Sequence, residues 1–518
     1  MLTFFVLVAI FYMFRVLQSP TLITPDPTLE PTLLPTITPT VLPTFSPTLI
    51  TPDPTLEPTL LPTITPTVLP TFSPTFISPD PTYSPTLSPS LSPTLFPTLS
   101  PTLITPDPTY SPTFQPTLIA ENWYYWGAEE GRGNTLAQNQ QVPQEIEGEI
   151  QDVSAGSRHT FLIEKGGLAT AAGFVESAFG YRGHLGLGQI DEKCKNDKNK
   201  LCEGENDPLT IKTVIDPSGE KLDAPPFKRA YAGVGIPADS GGMHSVLIGT
   251  NGKVYIAGNN SKGQLCLGDD KIPYVNYFHE VAGMPGKVHA AAVGGEFTLI
   301  LTEDGKVWGC GTNEVGQIGQ GDDVDYSNRP RRIKELENID ELSTGLSFAI
   351  FLNKVKGRVW GTGSNLYGQQ CGFTAGEPMT NVHEIDIKGA DKITQVETNR
   401  ESSYFLFGDG EVRSCGRNDE GQLGNGDYAN TSEINPIVKV ALNERIIRIG
   451  SGPTSQSVFF IGEDSVWASG LNDRFQLGMD DIGSRGTPVK VDFQCDVEIE
   501  YVSSSDSHTV ANGRYLNC

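Results

Sequence analysis

Beyond residue 120, a short turn motif returns along the chain at nearly constant spacing. It occurs as Asn251-Gly252, Asp304-Gly305, Lys356-Gly357 and Asp409-Gly410, each between two runs rich in apolar residues. Asn-Gly and Asp-Gly are the strongest short signals for a β-hairpin, because both central turn positions must tolerate positive φ. The motif therefore predicts a series of tight antiparallel hairpins.

A second phrase follows each hairpin. It reads Gly263-Gln264-Leu265, Gly316-Gln317-Ile318-Gly319, Gly368-Gln369-Gln370 and Gly421-Gln422-Leu423-Gly424, and its first glycines lie 53, 52 and 53 residues apart. A fixed period of about 50 residues is typical of repeat folds in which each unit is one supersecondary element.

Counting the units gives seven. The glycines that close the hairpin strands are Gly127, Gly173, Gly258, Gly311, Gly363, Gly416 and Gly470, with one long interval of 85 residues from Gly173 to Gly258. That interval indicates an insertion of about 32 residues, which we place at 189–227. Without it, seven units of about 52 residues account for 121–518, so we predict an all-β, seven-bladed β-propeller.

The two ends of this region each supply half a unit. Asn122 to Gly127 matches only the later half, and Val502 to Asn512 matches only the earlier half. Pairing them in one sheet removes the exposed edges of an open arc. We therefore expect a monomeric ring closed by its N- and C-terminal strands.

The repeated phrases resemble the regulator of chromosome condensation repeat, whose signature is a glycine, a hairpin and then G-x-N-x-x-x-G-Q-L-G. Gly258-Asn259 with Gly263-Gln264-Leu265 matches well, and so does Gly416-Arg417-Asn418 with Gly421 to Gly424. The chain departs from the pattern at Cys266 and Cys371, which replace the last glycine, and at Phe475, which replaces the first. The resemblance covers residues 121–518 and implies a seven-bladed propeller.

The resemblance also implies candidate functions. The founding member of the family is an exchange factor for the small GTPase Ran on chromatin. The plant ultraviolet-B photoreceptor of the family depends on tryptophan clusters and a G-W-R-H-T phrase, where this chain has Gly156-Ser157-Arg158-His159-Thr160. The serine in place of tryptophan argues against a photoreceptor, whereas exchange on a Ran-like GTPase remains an alternative.

Residues 19–120 differ sharply in composition. Of the 39 prolines, 26 lie between Pro20 and Pro116, and every glycine lies at or after Gly127; residues 46–72 repeat residues 19–45 without a change. Proline lacks an amide donor and pushes the preceding residue out of the helical region. We predict an extended, disordered, low-complexity stalk, with Ser and Thr available for O-glycosylation; the alternative is an unmodified linker.

The first 18 residues resemble a targeting segment. Phe4 to Phe14 form an unbroken apolar run of eleven residues, which is short for a membrane span but fits the core of a secretory signal. The alternative is an uncleaved signal anchor, and membrane contact is expected only there. The sequence predicts a secreted or cell-surface protein.

The balance of charge limits the class of partner. The chain has 37 Lys and Arg against 62 Asp and Glu, a formal net charge of −25. Nucleic-acid binding needs a basic face that displaces counterions from phosphates, so we expect no nucleic-acid partner.

Acidic residues follow the second phrase in several units, which places them on one rim of the ring. One interpretation is a docking surface for a cationic partner or weak calcium capture; the other is ordinary turn chemistry, since Asp side chains bond nearby backbone. These candidate binding residues are Asp269, Asp270, Asp322, Asp323, Asp325, Asp427, Asp480 and Asp481.

The chain has eight cysteines. Cys194 and Cys202 bracket a charged stretch of the insertion and are candidates for a disulfide outside the cytosol, as are Cys495 and Cys518. Cys310 and Cys415 occupy equivalent sites two units apart, too far apart to bond to each other. No zinc spacing is present, and we expect no metal and no cofactor.

Two sequons are candidates for N-glycosylation, at Asn259 and Asn430. His159, His244 and His508 occupy equivalent positions in three units, and Phe297 and Phe348 take that position in two others. Exchange with phenylalanine favours a packing role for the histidines over acid–base chemistry.

The expected function is therefore non-enzymatic. No trio of nucleophile, base and orienting group emerges, and no phosphate-binding glycine loop is present. We expect a protein-interaction module, a propeller held outside the cell by the stalk, with the insertion at 189–227 as a candidate contact for a protein partner. The alternative for that insertion is a loop without function.

Overall fold

A computed structural model describes residues 121–128, 140–146, 148–173, 183–187, 209–234, 243–269, 271–431, 437–493 and 496–517. The predicted leader and stalk lie outside these ranges. So do the disulfide candidates Cys194, Cys202, Cys495 and Cys518 and the rim residue Asp270.

Thirty β-strands and a single 3₁₀ turn, Ala390–Lys392, make up the regular structure of the described ranges. The chain begins with β1 (Glu121–Gly127) and β2 (Gln140–Ile146). Blade 1 contains β3 (Ile150–Ala155), β4 (His159–Glu164), β5 (Ala169–Gly173) and β6 (Leu209–Thr210). Blade 2 contains β7 (Thr213–Ile215), β8 (Lys221–Asp223), β9 (Phe227–Ala232), β10 (His244–Gly249), β11 (Val254–Asn259) and β12 (Tyr274–Glu280).

The next three blades have four strands each. Blade 3 contains β13 (Val288–Val293), β14 (Phe297–Thr302), β15 (Val307–Thr312) and β16 (Tyr326–Arg332). Blade 4 contains β17 (Glu341–Thr344), β18 (Phe348–Asn353), β19 (Arg358–Gly363) and β20 (Met379–Ile385). Blade 5 contains β21 (Ile393–Thr398), β22 (Ser402–Phe407), β23 (Val412–Gly416) and β24 (Val438–Lys439).

Blade 6 contains β25 (Arg448–Gly450), β26 (Ser457–Ile461), β27 (Val466–Gly470) and β28 (Arg485–Lys490). The chain then ends in β29 (Asp496–Ser504) and β30 (His508–Asn517), which join β1 and β2 in a terminal blade of order β2-β1-β30-β29. The described strands thus form seven sheets, and the predicted seven-bladed β-propeller is confirmed.

The hairpin motif connects the second and third strands of a blade, as predicted. Gly305 links β14 to β15 with φ 73° and its amide donates to the Thr302 carbonyl at 2.9 Å. A Cβ atom at Gly305 would lie 2.7 Å from the Cα of Asn338. Both the backbone conformation and the space therefore require glycine.

The core lies between neighbouring sheets. All six residues of β14 and all six of β18 are buried, and Phe297, Leu299, Phe351 and Ala349 share one buried cluster across blades 3 and 4. Strands this apolar on both faces are expected where a sheet is covered on both sides, as each propeller blade is by its two neighbours.

The terminal blade closes the ring. β1 pairs antiparallel with β30 from Glu121 opposite Arg514 to Gly127 opposite His508 without a register shift. Trp126 of β1 also donates its indole N–H to the Gln476 carbonyl of blade 6 at 2.8 Å. The N- and C-terminal halves therefore complete one blade, which confirms the predicted closure.

Side chains seal the strand edges that face the central channel. Ser503 of the terminal blade accepts the amide of Ala155 in blade 1 at 3.0 Å, and Ser154 accepts the amide of Ala232 in blade 2 at 2.9 Å. Ser343 of blade 4 does the same for Thr398 of blade 5 at 3.1 Å. These bonds satisfy edge amides that a free sheet would leave open.

Part of the predicted insertion is built into the sheets. β6 completes blade 1, and β7 pairs parallel with β12 at Val214 opposite Phe278, which widens blade 2 to six strands. The residues before β6 back to 188 lie outside the described ranges. Over the part of the chain that the structure describes, no helix has the length and apolar character needed to cross a membrane.

Candidate binding surfaces and inter-blade bonds

The strand order of a blade separates its loops onto two faces. Because the four strands form an antiparallel meander, the turns after the first and third strands lie on one face, and the hairpin after the second strand lies on the other. We call the first the loop face. The acidic residues predicted from the sequence lie in the loops between third and fourth strands, on the outer part of this face.

We define the acidic rim as the exposed aspartates of these loops in blades 2, 3, 5 and 6. Large apolar side chains stand beside them, with Tyr274 43%, Tyr326 48%, Tyr428 51% and Ile482 64% exposed. The described aspartates of the rim are Asp269, Asp322, Asp323, Asp325, Asp427, Asp480 and Asp481.

A buried asparagine holds each of these loops in shape. The side-chain amide of Asn260 donates to the Asp269 carbonyl at 2.8 Å, and Asn418 and Asn472 bond Asp427 and Asp481 in the same way at 2.9 and 2.7 Å. The same asparagines accept amides five residues ahead through their Oδ1 atoms. The asparagine of the repeat phrase therefore fixes where the rim aspartates stand.

Some rim carboxylates also have local turn roles. Asp269 Oδ1 accepts the Lys271 amide at 2.9 Å, Asp427 Oδ1 accepts the Tyr428 amide at 2.6 Å, and Asp481 pairs with Arg485 at 2.6 Å. Turn chemistry thus explains part of the aspartate pattern. Within the described ranges, no group of three or more His, Cys, Asp or Glu side chains converges in a way that could hold a metal ion.

The equivalent histidines connect neighbouring blades. His508 Nε2 lies 2.9 Å from Thr160 Oγ1, His159 Nε2 lies 3.0 Å from Ser245 Oγ, and His244 Nε2 lies 2.8 Å from Thr298 Oγ1. The Thr298 hydroxyl donates to the Gln264 carbonyl at 2.8 Å, so it accepts from His244. Blade 3 has Phe297 at the position of the histidine. Blade 4 has Ala349 at the position of the hydroxyl that would bond it.

Burial makes His159 a poor base. The pKa of His159 lies well below its ordinary value, because burial disfavours the charged ring and His184, His508 and His244 are close by. The rings of His159 and His184 are 4.9 Å apart. A neutral, hydrogen-bonded histidine is a structural element of the blade interface, in line with the packing role expected for it.

Two disulfides join neighbouring blades. Cys266, in the loop after β11, bonds Cys310 of β15, and Cys371, in the loop after β19, bonds Cys415 of β23. The first joins blade 2 to blade 3, and the second joins blade 4 to blade 5. Sequence reasoning missed both pairings, although it noted that Cys266 and Cys371 replace a repeat glycine and that Cys310 and Cys415 are equivalent.

The two sequons differ in accessibility. Asn430 is exposed. Asn259 is only 1% exposed, and its Oδ1 accepts from the Ser261 amide and hydroxyl and from the Gln264 side chain. In the folded ring the side chain of Asn259 is enclosed, so Asn430 is the accessible sequon of the two.

The first strands of all seven blades line a central channel with a cavity of about 830 Å³. Its wall is polar and carries both signs of charge. Basic groups come from blades 2, 4 and 6, and carboxylates come from blades 1, 4, 5 and the terminal blade. The charged wall residues are Asp152, Lys228, Arg229, Asp340, Glu341, Lys354, Glu397, Arg448 and Glu500.

Burial dominates the electrostatics of the channel. It raises the pKa of Asp152 to about 7, although the Ala230 amide and Arg229 oppose the shift. Burial also raises the pKa of Glu397 to about 8, with Glu341 adding to the rise. The pKa of Tyr501 is raised by burial and then by the charges of Glu397 and Asp152. Groups from five blades therefore influence one another's pKa values around the channel.

Comparison with known sequence families decides what kind of repeat this is. The model described as "Regulator of chromosome condensation (RCC1) repeat" matches residues 304–352 and 463–511, and a second model with the same description matches residues 288–317. These parts of the propeller are RCC1 repeats.

Several characterised proteins are similar in sequence to parts of this chain. The human E3 ubiquitin-protein ligase HERC2 is 30% identical over 246 residues, which are 45% of this chain and 5% of the ligase. Human protein RCC2 is 35% identical over 173 residues, 32% of this chain and 33% of RCC2. The Arabidopsis thaliana ultraviolet-B receptor UVR8 is 26% identical over 252 residues, 48% of this chain and 56% of the receptor. The chain thus spans less than two thirds of each relative.

Solved structures agree on the architecture of the RCC1 repeat ring. Human WBSCR16 superposes with a TM-score of 0.61 at 19% identity, over 77% of this chain and all of WBSCR16. Prp20p of Saccharomyces cerevisiae superposes with a TM-score of 0.58 at 17% identity, over 77% of this chain and 93% of Prp20p. At this level of identity the likeness establishes the fold alone.

Proposed function

We propose that this chain is a non-enzymatic protein-binding module, an RCC1 repeat propeller displayed outside the cell on a Pro/Thr-rich stalk. The observation that carries the proposal is the pair of inter-blade disulfides. Structural disulfides form and persist in oxidising compartments and are rare in the cytosol and nucleus, where thiols are kept reduced. The apolar run at Phe4 to Phe14 is consistent with the same route.

The distribution of the cysteines among the blades supports genuine pairing. The position of Cys266 and Cys371 faces the position of Cys310 and Cys415 in the next blade. Two other interfaces have no cysteine at these positions. Gly424 of blade 5 faces Ser469 of blade 6, and Gly478 of blade 6 faces Trp126 of the terminal blade. Cysteine thus occurs on both sides of an interface or on neither, which is the pattern expected when the bond stabilises the ring.

The acidic rim is the proposed contact for a protein partner. It combines carboxylates with the exposed side chains of Tyr274, Tyr326, Tyr428 and Ile482 over several blades of one face. Tyrosine is favoured at interfaces because it buries a large apolar area and keeps a polar tip. A partner with a basic, partly apolar surface would complement this rim in charge.

Export is tested by expressing the full chain with a C-terminal tag in eukaryotic cells. We expect the protein in the secretory route, and we expect Cys266, Cys310, Cys371 and Cys415 to resist alkylation under denaturing conditions until a reductant is added. A cytosolic or nuclear protein whose four thiols react without reductant would overturn the proposed location.

Partner binding is tested with the purified, folded protein. Charge reversal of the rim, Asp322→Lys with Asp323→Lys, is expected to weaken capture of a basic partner on intact cells at least tenfold, whereas Glu384→Lys on the outer strand of blade 4 serves as the matched control. Unchanged capture by the rim variant would exclude the rim. Acceleration of nucleotide release from a Ran-like GTPase would instead support the exchange-factor alternative.

A further inference from the structure

The outer strand of blade 3 carries a cluster of basic residues in a chain whose net charge is −25. Four of the six residues from Arg329 to Lys334 are basic, and none of the six is acidic. We define the basic strip as these four residues, Arg329, Arg331, Arg332 and Lys334. Its three arginines share β16, where a rise of about 3.3 Å per residue places them within roughly 10 Å of one another. Short stretches this rich in Lys and Arg are typical of surfaces that bind polyanions.

Three of these cations are available to a ligand. Arg329, Arg331 and Lys334 are exposed, and among the described residues no carboxylate forms an ion pair with any of them. Arg332 differs, because it is half-buried and pairs with Glu337. The fold therefore uses one charge of the basic strip and leaves the other three facing solvent.

The position of the basic strip in its sheet favours recognition by side chains. β16 is an edge strand, last in the order β13-β14-β15-β16. Pro330 lies within the basic strip and has no amide donor, so this edge is a poor template for an added β-strand. Arg329 packs against blade 2, where its Nε lies 2.8 Å from the place of a Cβ atom at Gly268. A partner would thus meet a row of cations and not an open backbone ladder.

Acidic residues limit the length of this positive surface. Asp322, Asp323 and Asp325 precede β16, and Glu335 and Glu337 follow it. A nucleic-acid duplex carries one phosphate charge for about every 1.7 Å of its axis, so it would bring phosphates against these carboxylates. A single narrow chain that crosses the strand meets the cations without that repulsion.

We propose that the basic strip binds a sulfated polysaccharide, a single chain whose sulfate groups pair with Arg331 and Lys334 on the outer wall of blade 3. Guanidinium groups hold oxyanions through two N–H donors at once, and the lysine ammonium adds a compact point charge. This ligand is additional to the protein partner of the acidic rim. The inference does not rest on export, because binding is measured with the purified chain.

Three polyanions test the class of ligand by surface plasmon resonance on the full chain. Heparin is the sulfated polysaccharide, hyaluronan is a polysaccharide with carboxylates and no sulfate, and poly(U) is a single-stranded nucleic acid. We expect heparin to bind at low salt at least tenfold more tightly than either of the others. Absence of heparin binding, or equal or tighter binding of hyaluronan or poly(U), would overturn the proposal.

A double variant tests the location of the site. Arg331→Gln with Lys334→Gln removes two exposed cations and leaves the ion pair of Arg332 in place. We expect heparin to bind at least tenfold more weakly, with a shallower dependence of affinity on salt, because fewer cations contact the polyanion. The matched control is Lys388→Gln with Lys392→Gln, which removes the same charge from two exposed residues between β20 and β21. An equal effect of the two double variants, or no effect of the first, would overturn the assignment to the basic strip.

Thermal unfolding checks that the variants are comparable. Because Arg331 and Lys334 are exposed and form no ion pair, their substitution should leave the unfolding temperature close to that of the wild type. If the double variant unfolds early, Lys334→Gln alone replaces it, since this residue lies beyond the end of β16. We expect at least a threefold loss of heparin affinity in that single variant, and unchanged affinity would contradict the proposal.

Discussion

Asn259 and Asn430 carry the same sequon chemistry but differ in their surroundings. Asn430 is exposed, and Asn259 is buried with three bonds to its Oδ1. In secreted protein we expect Asn430→Gln to lower the mass by one N-glycan and Asn259→Gln to leave the glycan unchanged. Glycosidase treatment followed by mass spectrometry makes the measurement.

The same two variants distinguish an effect on glycosylation from an effect on the stability of the fold. Asn259→Gln displaces a buried acceptor of three hydrogen bonds, so it should lower the free energy of unfolding by about 1 to 3 kcal/mol, whereas Asn430→Gln affects a single bond from the Asn418 amide at 2.7 Å and should lower it by less. Urea unfolding of both variants provides the comparison. Loss of glycan mass in Asn259→Gln would show that the ring does not protect this residue during export.

His159 links the stability of the ring to pH. Because the pKa of the buried ring is depressed, the unfolded chain takes up a proton near pH 6.5 while the folded chain does not. The stability contributed by the neutral ring is therefore complete above that pH and is lost as the pH falls below it. We expect His159→Phe, which copies Phe297 and Phe348, to lessen the acid sensitivity of the unfolding midpoint between pH 7 and pH 4.

The comparison is His279→Phe, a substitution on the outer strand of blade 2, where burial lowers the histidine pKa less than at His159, so it should lessen the acid sensitivity less than His159→Phe does. If both variants have the same pH profile as the wild type, the inter-blade histidine is not the group that couples protonation to unfolding.

At the scale of strands and loops, the disulfides are the strongest covalent constraint on the described blades. Each closes a loop with a sequence separation of 44 residues, for which the chain-entropy treatment gives about 4 kcal/mol. Cys266→Gly with Cys310→Ser copies the interface of Gly424 and Ser469, so it removes the bond while keeping a pairing that the ring already uses. We expect a lower urea midpoint in this double variant.

Reductant provides the matching control for the disulfide prediction. It should lower the midpoint of the wild type towards that of a variant lacking both bonds and should lower the midpoint of the double variant by less, since only the bond of Cys371 and Cys415 remains there. A wild-type midpoint that does not respond to reductant would mean that the bonds contribute nothing to the equilibrium.

The hairpins were predictable from the sequence because neighbouring residues alone determine each turn. Asp304-Gly305 specifies a turn through backbone conformation alone, and the structure has that turn. The disulfides were not predicted, because each joins a loop of one blade to a strand of the next. A signal was nevertheless present, since Cys266 to Cys371 and Cys310 to Cys415 are both 105 residues apart, the length of two repeats.

The insertion shows a similar limit. Its length was read from the spacing of Gly173 and Gly258, but the pattern did not reveal that β7 would pair parallel with β12. A three-residue strand carries too few residues for a period to be recognised. Repeat arithmetic therefore predicts the blades well and the additions to a blade poorly.

At the scale of the whole molecule, the ring depends on the terminal blade. Removal of residues 508–517 deletes β30, which pairs with β1 on one side and β29 on the other. It exposes two strand edges and uncovers Tyr124 and Trp126, which pack with Phe459 of blade 6. We expect this truncation to abolish cooperative thermal unfolding of all seven blades, measured by circular dichroism.

A circular permutant distinguishes the effect of an open ring from the effect of deleting residues. Glu121 lies opposite Arg514, so the end of β30 and the start of β1 can be joined by a short hairpin. New ends can open between Gly372 and Gly376, where no atom lies within 4 Å of an added Cβ. This permutant keeps every strand pairing of the described ring and should unfold cooperatively at or above the wild-type temperature. If the permutant melts as the truncation does, the order of the chain, and not the pairing of β1 with β30, determines whether the ring forms.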